Sequence, residues 1–229
     1  MIAAQLLAPS TLWLGAGVYV GALLWAAWRA PWLEVLSDSR RQHLLFGTVL
    51  GLFLLWLVRR DFDSGVSFHF LGMTVVTLLL DWPLALLGGL LAQIGLIAIG
   101  RQDLLALGVN GLLLVLLPVL ITEGCALLLE RAQPRNLFVY IFCCGFFPAA
   151  LSALGCLLAG LGLLALDGRF AMPPWLDDFI GYLWLVTFPE AFINGTLVAA
   201  LVVFCPDWLE TFNRTRYLQA PWKDDEHSR

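Results

Sequence analysis

Within nine residues, Asp61-Phe-Asp-Ser-Gly-Val-Ser-Phe-His69, the chain sets two carboxylates and an imidazole around a small-residue turn. His69 stands at the mouth of an apolar run and is one of three histidines. A neutral imidazole is a common donor to zinc, nickel, cobalt or copper. With Asp61 and Asp63 folded over it, His69 would make a mixed nitrogen–oxygen site that suits zinc or manganese. Because the ligating ring must be neutral, such a site would lose affinity below about pH 6.5. The same residues also read structurally: His69 as a hydrogen-bonding residue opening a helix, Asp61 and Asp63 as partners of Arg59 and Arg60.

Two further ionisable groups lie inside apolar stretches, where a charge is costly and marks a functional candidate. Glu190 falls in Phe-Pro-Glu-Ala-Phe-Ile-Asn-Gly195, with Asn194 four residues on and therefore on the same helix face. Glu123 sits between Thr122 and Gly124, towards the end of another apolar run. Each reads equally as a polar clasp between helices. No H-E-x-x-H, G-x-S-x-G or Walker sequence is present, so nothing local argues for a hydrolase or an ATPase.

The elements around these residues are membrane segments. Of 229 residues, 60% are apolar and 13% charged, whereas soluble domains carry about 25% charge. A spanning helix needs about 20 mainly apolar residues. Seven stretches qualify: 10–28, 43–58, 67–80, 84–99, 104–129, 137–166 and 179–204. The third and fourth are short, and Pro83 marks a turn between them; two antiparallel spans are favoured over a re-entrant pair. Pro148 predicts a kink in the sixth. The expected architecture is all-α: one polytopic helix bundle over 1–209 and a polar cytoplasmic tail over 210–229. Met1 to Ala8 is uncharged, which favours an uncleaved first helix over a signal peptide. The five cysteines show no C-x-x-C spacing and read as small packing residues. The net charge of −4 comes with no basic patch, and nothing points to a nucleic-acid partner.

Seven spans put the two termini on opposite sides. Arg29, Arg40, Arg41, Arg131, Arg135, Arg214 and Arg216 fall on one side; Arg59, Arg60, Arg101 and Arg169 fall on the other. The first side is therefore expected to be cytoplasmic, with the N-terminus outside. His69 then faces outward, with Asp103, Asp167, Asp177 and Asp178.

Ser-Phe-His69-Phe-Leu-Gly-Met, followed by an apolar run and Asp-Trp-Pro83, resembles the histidine-bearing segment of the CbiM/NikM components of cobalt/nickel energy-coupling-factor transporters. The resemblance continues at Leu107-Gly-Val-Asn110, at Pro189-Glu-Ala-Phe-Ile-Asn-Gly195 and at Pro206-Asp-Trp-Leu209. It implies a seven-helix fold with an external N-terminus and no ATPase activity of its own. It also implies a divalent transition metal as substrate rather than as a resident cofactor. The partners implied are membrane lipids, an energy-coupling membrane subunit and ATPase subunits, with Arg131 and Arg135 of the inner loops on the contact surface; the chain itself is expected in the plasma membrane. In that family the amino-terminus and a histidine at position two bind metal together with the later histidine. This chain begins Met1-Ile-Ala-Ala, so only His69 carries over as a ligand. The reading is a permease-like component for a divalent metal; the competing reading is a non-transporting membrane protein, in assembly or sensing, that keeps the fold and not the metal. A membrane enzyme using Glu123, Glu190 and His69 ranks third.

Overall fold

The computed structural model describes residues 1–62, 65–168 and 179–218, of which 179–184 and 218 are described by their backbone alone. Asp63, Arg169, Asp177, Asp178 and the tail beyond 218 lie outside the described residues.

The chain is mostly helical, as its composition requires. Helix α1, Pro9–Arg29, opens with proline at its first position, where the missing N–H costs nothing. A short α2, Trp32–Ser37, leads into α3, Ser39–Leu57, which the Asp38 side chain caps by accepting from the Arg40 amide. Strands β1, Arg59–Asp61, and β2, Ser67–His69, pair antiparallel with Arg59 opposite His69. Then come α4, Met73–Ala98, α5, Leu104–Ala132, and α6, Leu137–Asp167. The chain continues through α7, Phe179–Phe204, to a short α8, Arg214–Leu218. Among the described residues five helices are long and apolar enough to cross a membrane: α1, α4, α5, α6 and residues Leu185–Phe204 of α7. Helix α3, with Arg40, Arg41 and His43 in its first turns, is not one of them.

The segment expected to be helical from Ser67 differs. Ser67–His69 is strand because the hairpin with Arg59–Asp61 takes its backbone groups, and helix begins only at Met73. A second difference lies inside α4. Asp81 has φ 68 and ψ 158, and its carboxylate accepts from the Trp82 amide. The chain turns back there. Gly72 packs near Leu52 and Leu55 at one end of α3, while the Leu78 carbonyl accepts from the Glu210 amide and Glu210 pairs with Arg41 at the other end. Beyond the turn, Gly88 lies by Val49, Gly95 by Phe53, and the Arg101 carbonyl accepts from Arg59. The two halves of α4 are therefore antiparallel, and Pro83 sits harmlessly in the first turn of the second half.

The proline in α6 is preceded by a widened turn. Residues Ile141–Phe146 form a π-helical turn just before Pro148, and Leu112–Leu116 form another before Pro118. Proline leaves the carbonyl four residues back without a donor, and an i→i+5 turn relieves the crowding there.

Close helix approach depends on small residues, as expected where no hydrophobic effect acts between helices. A Cβ at Gly108 would land on the backbone of Ala16, so α1 and α5 touch main chain to main chain. That contact delivers the first residues of the chain to the hairpin.

Candidate metal centre

Residues 1–8 form the wall of the site that the sequence leaves unmarked. Met1 to Ala3 lie alongside the hairpin through one isolated bridge: Ser67 donates to the Met1 carbonyl at 2.9 Å, Ala3 to that of Gly65 at 2.9 Å, and Ile2 bridges Val66. Asn110 clamps residue 2 from α5. Its Oδ1 accepts from the Ile2 amide at 2.8 Å and its Nδ2 donates to the Ile2 carbonyl at 3.0 Å. Asp103 accepts from the Ala4 amide, and Asp167 accepts from Ala8 and from the Thr11 hydroxyl, holding the start of α1. The α-amine of Met1 donates to the Ser67 carbonyl at 2.7 Å. Burial lowers its pKa from 8.0 to about 5, with Arg59 adding to the shift and Cys156 and Asp61 opposing it. The amine is thus a neutral nitrogen donor at pH 7.

His69 comes to the same place from β2. Its Nδ1 lies 2.9 Å from the Phe70 carbonyl, which can only accept, so the proton sits on Nδ1 and Nε2 carries the lone pair. Nε2 is buried and has no hydrogen-bond partner. Burial, followed by the positive charge that the Met1 amine carries when protonated, lowers the imidazole pKa to about 3. The Trp56 ring stands 5.5 Å away and donates its indole N–H to the Leu71 carbonyl. Met1, Ser67, His69, Asn110, Cys156 and Glu190 all line one cavity of about 90 Å³, whose remaining walls are apolar.

Glu190 and Asn194 form the expected pair on one helix face, Asn194 Nδ2 lying 2.8 Å from Glu190 Oε1. Their partners are backbone groups. Glu190 accepts from the Leu71 amide at 2.9 Å and the Gly72 amide at 2.8 Å, and Asn194 Oδ1 accepts from Val75 at 3.2 Å. Between β2 and α4 the chain is neither strand nor helix, and α4 starts with free N–H groups. Inside a bilayer such groups must find acceptors within the protein. The acidic residue also sits at the positive end of the helix dipole. Gly72 has φ 67, a conformation favouring glycine, and a Cβ there would meet Leu55 at 2.8 Å.

Of the two aspartates expected over His69, Asp61 does not gather there. Asp61 pairs with Arg59 at 2.8 Å and Arg101 at 3.7 Å and does not line the cavity. A hydrogen bond from Ser67 and the charges of Arg59 and Arg101 hold its carboxyl below the usual range. Asp63 lies outside the described residues. Glu123 is half-buried at the opposite end of the bundle, lining a polar cavity with Glu130, Tyr140, Glu210 and Arg216. It is separate from His69. Among the described residues no three His, Cys, Asp or Glu side chains already converge as a metal site. In sequence the amino-terminus is set aside along with the missing histidine at position two, because a main-chain group leaves no mark in residue type. The position of the Met1 amine depends on Asn110, Asp103 and Asp167, far away in sequence.

A family model, the cobalt uptake substrate-specific transmembrane region CbiM, matches residues 2–208. The chain belongs to that family. It is therefore an integral component, in the plasma membrane, of a metal-ion transport system. Two solved structures share the fold. One, a crystal structure of a truncated transition metal transporter, aligns at a TM-score of 0.71 and 18% identity, over 88% of this chain and 98% of its own. The other, a crystal structure of a transition metal transporter, aligns at 0.68 and 18% identity, over 87% and 91%. No curated protein sequence matches. The relatives are transporters and not enzymes.

Proposed function

We propose that this CbiM-family chain binds a divalent transition metal as its substrate between the Met1 amine and His69 Nε2, at the outer face. The observation that carries this reading is the buried, unpartnered Nε2 on a cavity shared with a neutral α-amine. A lone pair with no donor in a dry wall is costly unless a ligand uses it. The expectation that the N-terminus contributes no donor is revised here: Ile2 removes the side-chain donor, but the amine itself remains in place.

In this reading the chain makes seven passes, counting α3 and both halves of α4, with the N-terminus outside and the C-terminus cytoplasmic. Seven arginines on the side of Arg29 and Arg131 against four on the side of Arg59 support that orientation. Energy comes from an ATPase pair and a coupling membrane subunit, which meet the inner loops near Arg131 and Arg135.

Elemental analysis of purified protein made without a histidine tag tests the site. Wild type grown with added metal retains one divalent ion. His69→Ala, and separately an Ala-Gly extension ahead of Met1, lose it while unfolding at the wild-type temperature. Wild type without metal at neutral pH would sink the reading and favour a non-transporting role.

A further inference from the structure

Two nitrogen donors are too few to hold a divalent ion against water, since zinc-type sites use three or four protein ligands. The other polar groups on the cavity wall are mostly engaged. Both amide atoms of Asn110 bind the Ile2 backbone, and the Ser67 carbonyl already accepts from the Met1 amine. Glu190 accepts at both oxygens, from Leu71, Gly72 and Asn194. Ile2 is 6% exposed and packs in an apolar cluster with Leu7, Leu71, Val109 and Leu113, so position two supplies no side-chain donor. The remaining wall group is Cys156 of α6. It is buried, and its Sγ–H donates to the Leu113 carbonyl, a weak bond that rotation about one side-chain torsion releases. None of Cys125, Cys143, Cys144 and Cys205 lines this cavity.

Resting on the metal-binding reading above, we propose that Cys156 is the third ligand of the site and makes it a thiolate site for zinc-type, tetrahedral ions. The Sγ–H bond breaks heterolytically as the Sγ–metal bond forms, the proton leaves to water, and nothing is oxidised or reduced. The Met1 amine and His69 Nε2 each contribute a lone pair, and a water fills the fourth position.

Electrostatics favours this assignment over a site of neutral nitrogens alone. A dication in an apolar cavity, with only neutral donors, would carry two uncompensated charges in a low-dielectric medium. A thiolate in direct contact removes one of them. Glu190, whose three hydrogen-bond partners are all donors, is placed to offset the other. Ligand softness points the same way. Thiolate with imidazole suits zinc, whereas square-planar nickel calls for a flat nitrogen set, for which this chain lacks the imidazole at position two.

Cobalt(II) loaded into the purified full-length protein is the probe, because thiolate ligation gives a near-ultraviolet sulfur-to-cobalt charge-transfer band. Wild type and a Cys125→Ser control show the band, and zinc displaces cobalt more readily than nickel does. Cys156→Ser, which keeps a donor for the Leu113 carbonyl, loses the band and binds zinc about 100-fold more weakly or worse, beyond the 10–100-fold typical of outer-shell changes. Cys156→Ala behaves alike, with both variants unfolding at the wild-type temperature. Cobalt bound through His69 without the band, or unchanged zinc affinity in Cys156→Ser, would overturn the assignment and leave the amine–imidazole reading intact. Cobalt binding unaffected by His69→Ala would overturn both.

Discussion

Replacing Glu190 by leucine tests whether the bundle is built to hold the chain just after His69. The carboxylate satisfies the amides of Leu71 and Gly72, in a stretch without regular structure, and it is 3% exposed. Leucine leaves both amides without an acceptor. Each orphaned buried N–H costs about 1–3 kcal/mol, which gives about 2–6 kcal/mol for the two. A lower bound comes from interhelical bonds in membranes, which average about 0.6 kcal/mol because the unfolded state in lipid finds other partners. That average undercounts here, because an unpaired extended segment has no alternative partner inside the bilayer. Glutamine retains one acceptor but turns an N–H₂ towards a second donor, so its cost falls near that of a single orphaned amide, about 1–3 kcal/mol. Asn194 keeps its bond to the Glu190 carbonyl in both variants. Reversible unfolding in detergent, followed by helical circular dichroism, should rank wild type above Glu190→Gln and Glu190→Gln above Glu190→Leu. Because Leu71 and Gly72 follow His69 so closely, both variants should also retain less metal. A leucine variant within about 1 kcal/mol of wild type would refute the account.

Three further outcomes follow from the same geometry. The depressed pKa values, about 3 for His69 and about 5 for the Met1 amine, mean that protons compete for these two nitrogens only in acid. With Cys156 as a ligand, the one proton it releases should raise metal affinity about tenfold per pH unit between about pH 6 and about pH 8. In Cys156→Ser the residual affinity should stay level over that range and fall below about pH 5; a fall centred near 6.5, the free imidazole value, would show a solvated histidine. Gly108→Ala drives a methyl group into the Ala16 backbone, so it should destabilise the bundle by about 1–3 kcal/mol, measured by unfolding in detergent, and lower metal retention by withdrawing Met1. An Ala16→Gly change, made together with it, would not restore binding, since the clash is with main chain. Reporter fusions after Arg131 and after Gly168, which α6 separates, should report cytoplasm and exterior respectively, and matching locations would exclude the proposed orientation.

The membrane character and the apolar segments were legible because hydrophobic runs of spanning length leave few alternatives. The turn at Asp81 was legible too, through Pro83 and the shortness of the two flanking runs. Register was not. Whether Ser67–His69 is helix or strand depends on Arg59–Asp61 and on Met1–Ala3, and pairing with a distant edge cannot be seen in local periodicity. The pairing of Glu190 with Asn194 followed from their spacing, yet its purpose did not, because its partners are main-chain amides that carry no side-chain signature.

The same limit explains why Asp61, an attractive candidate beside His69 in sequence, stays out of the cavity in space. Across the hairpin, Asp61 is paired with Ser67 and shares a face with Arg59 and His69, yet its carboxylate is taken up by Arg59 and Arg101 and does not line the cavity. What shares the cavity with the imidazole comes from elsewhere: the Met1 amine, whose neighbour Ile2 is held by Asn110, and the Cys156 thiol on α6. These two groups are brought together only because α1 lies against α5 at Gly108, and because Ile2, in place of a ligand, packs into the apolar cluster between them. The substitution at position two therefore does not simply delete a donor. It anchors the amine by packing, and it leaves the side of the cavity next to Gly160, where the Ile2 Cδ1 atom rests, in the hands of the helix that carries Cys156.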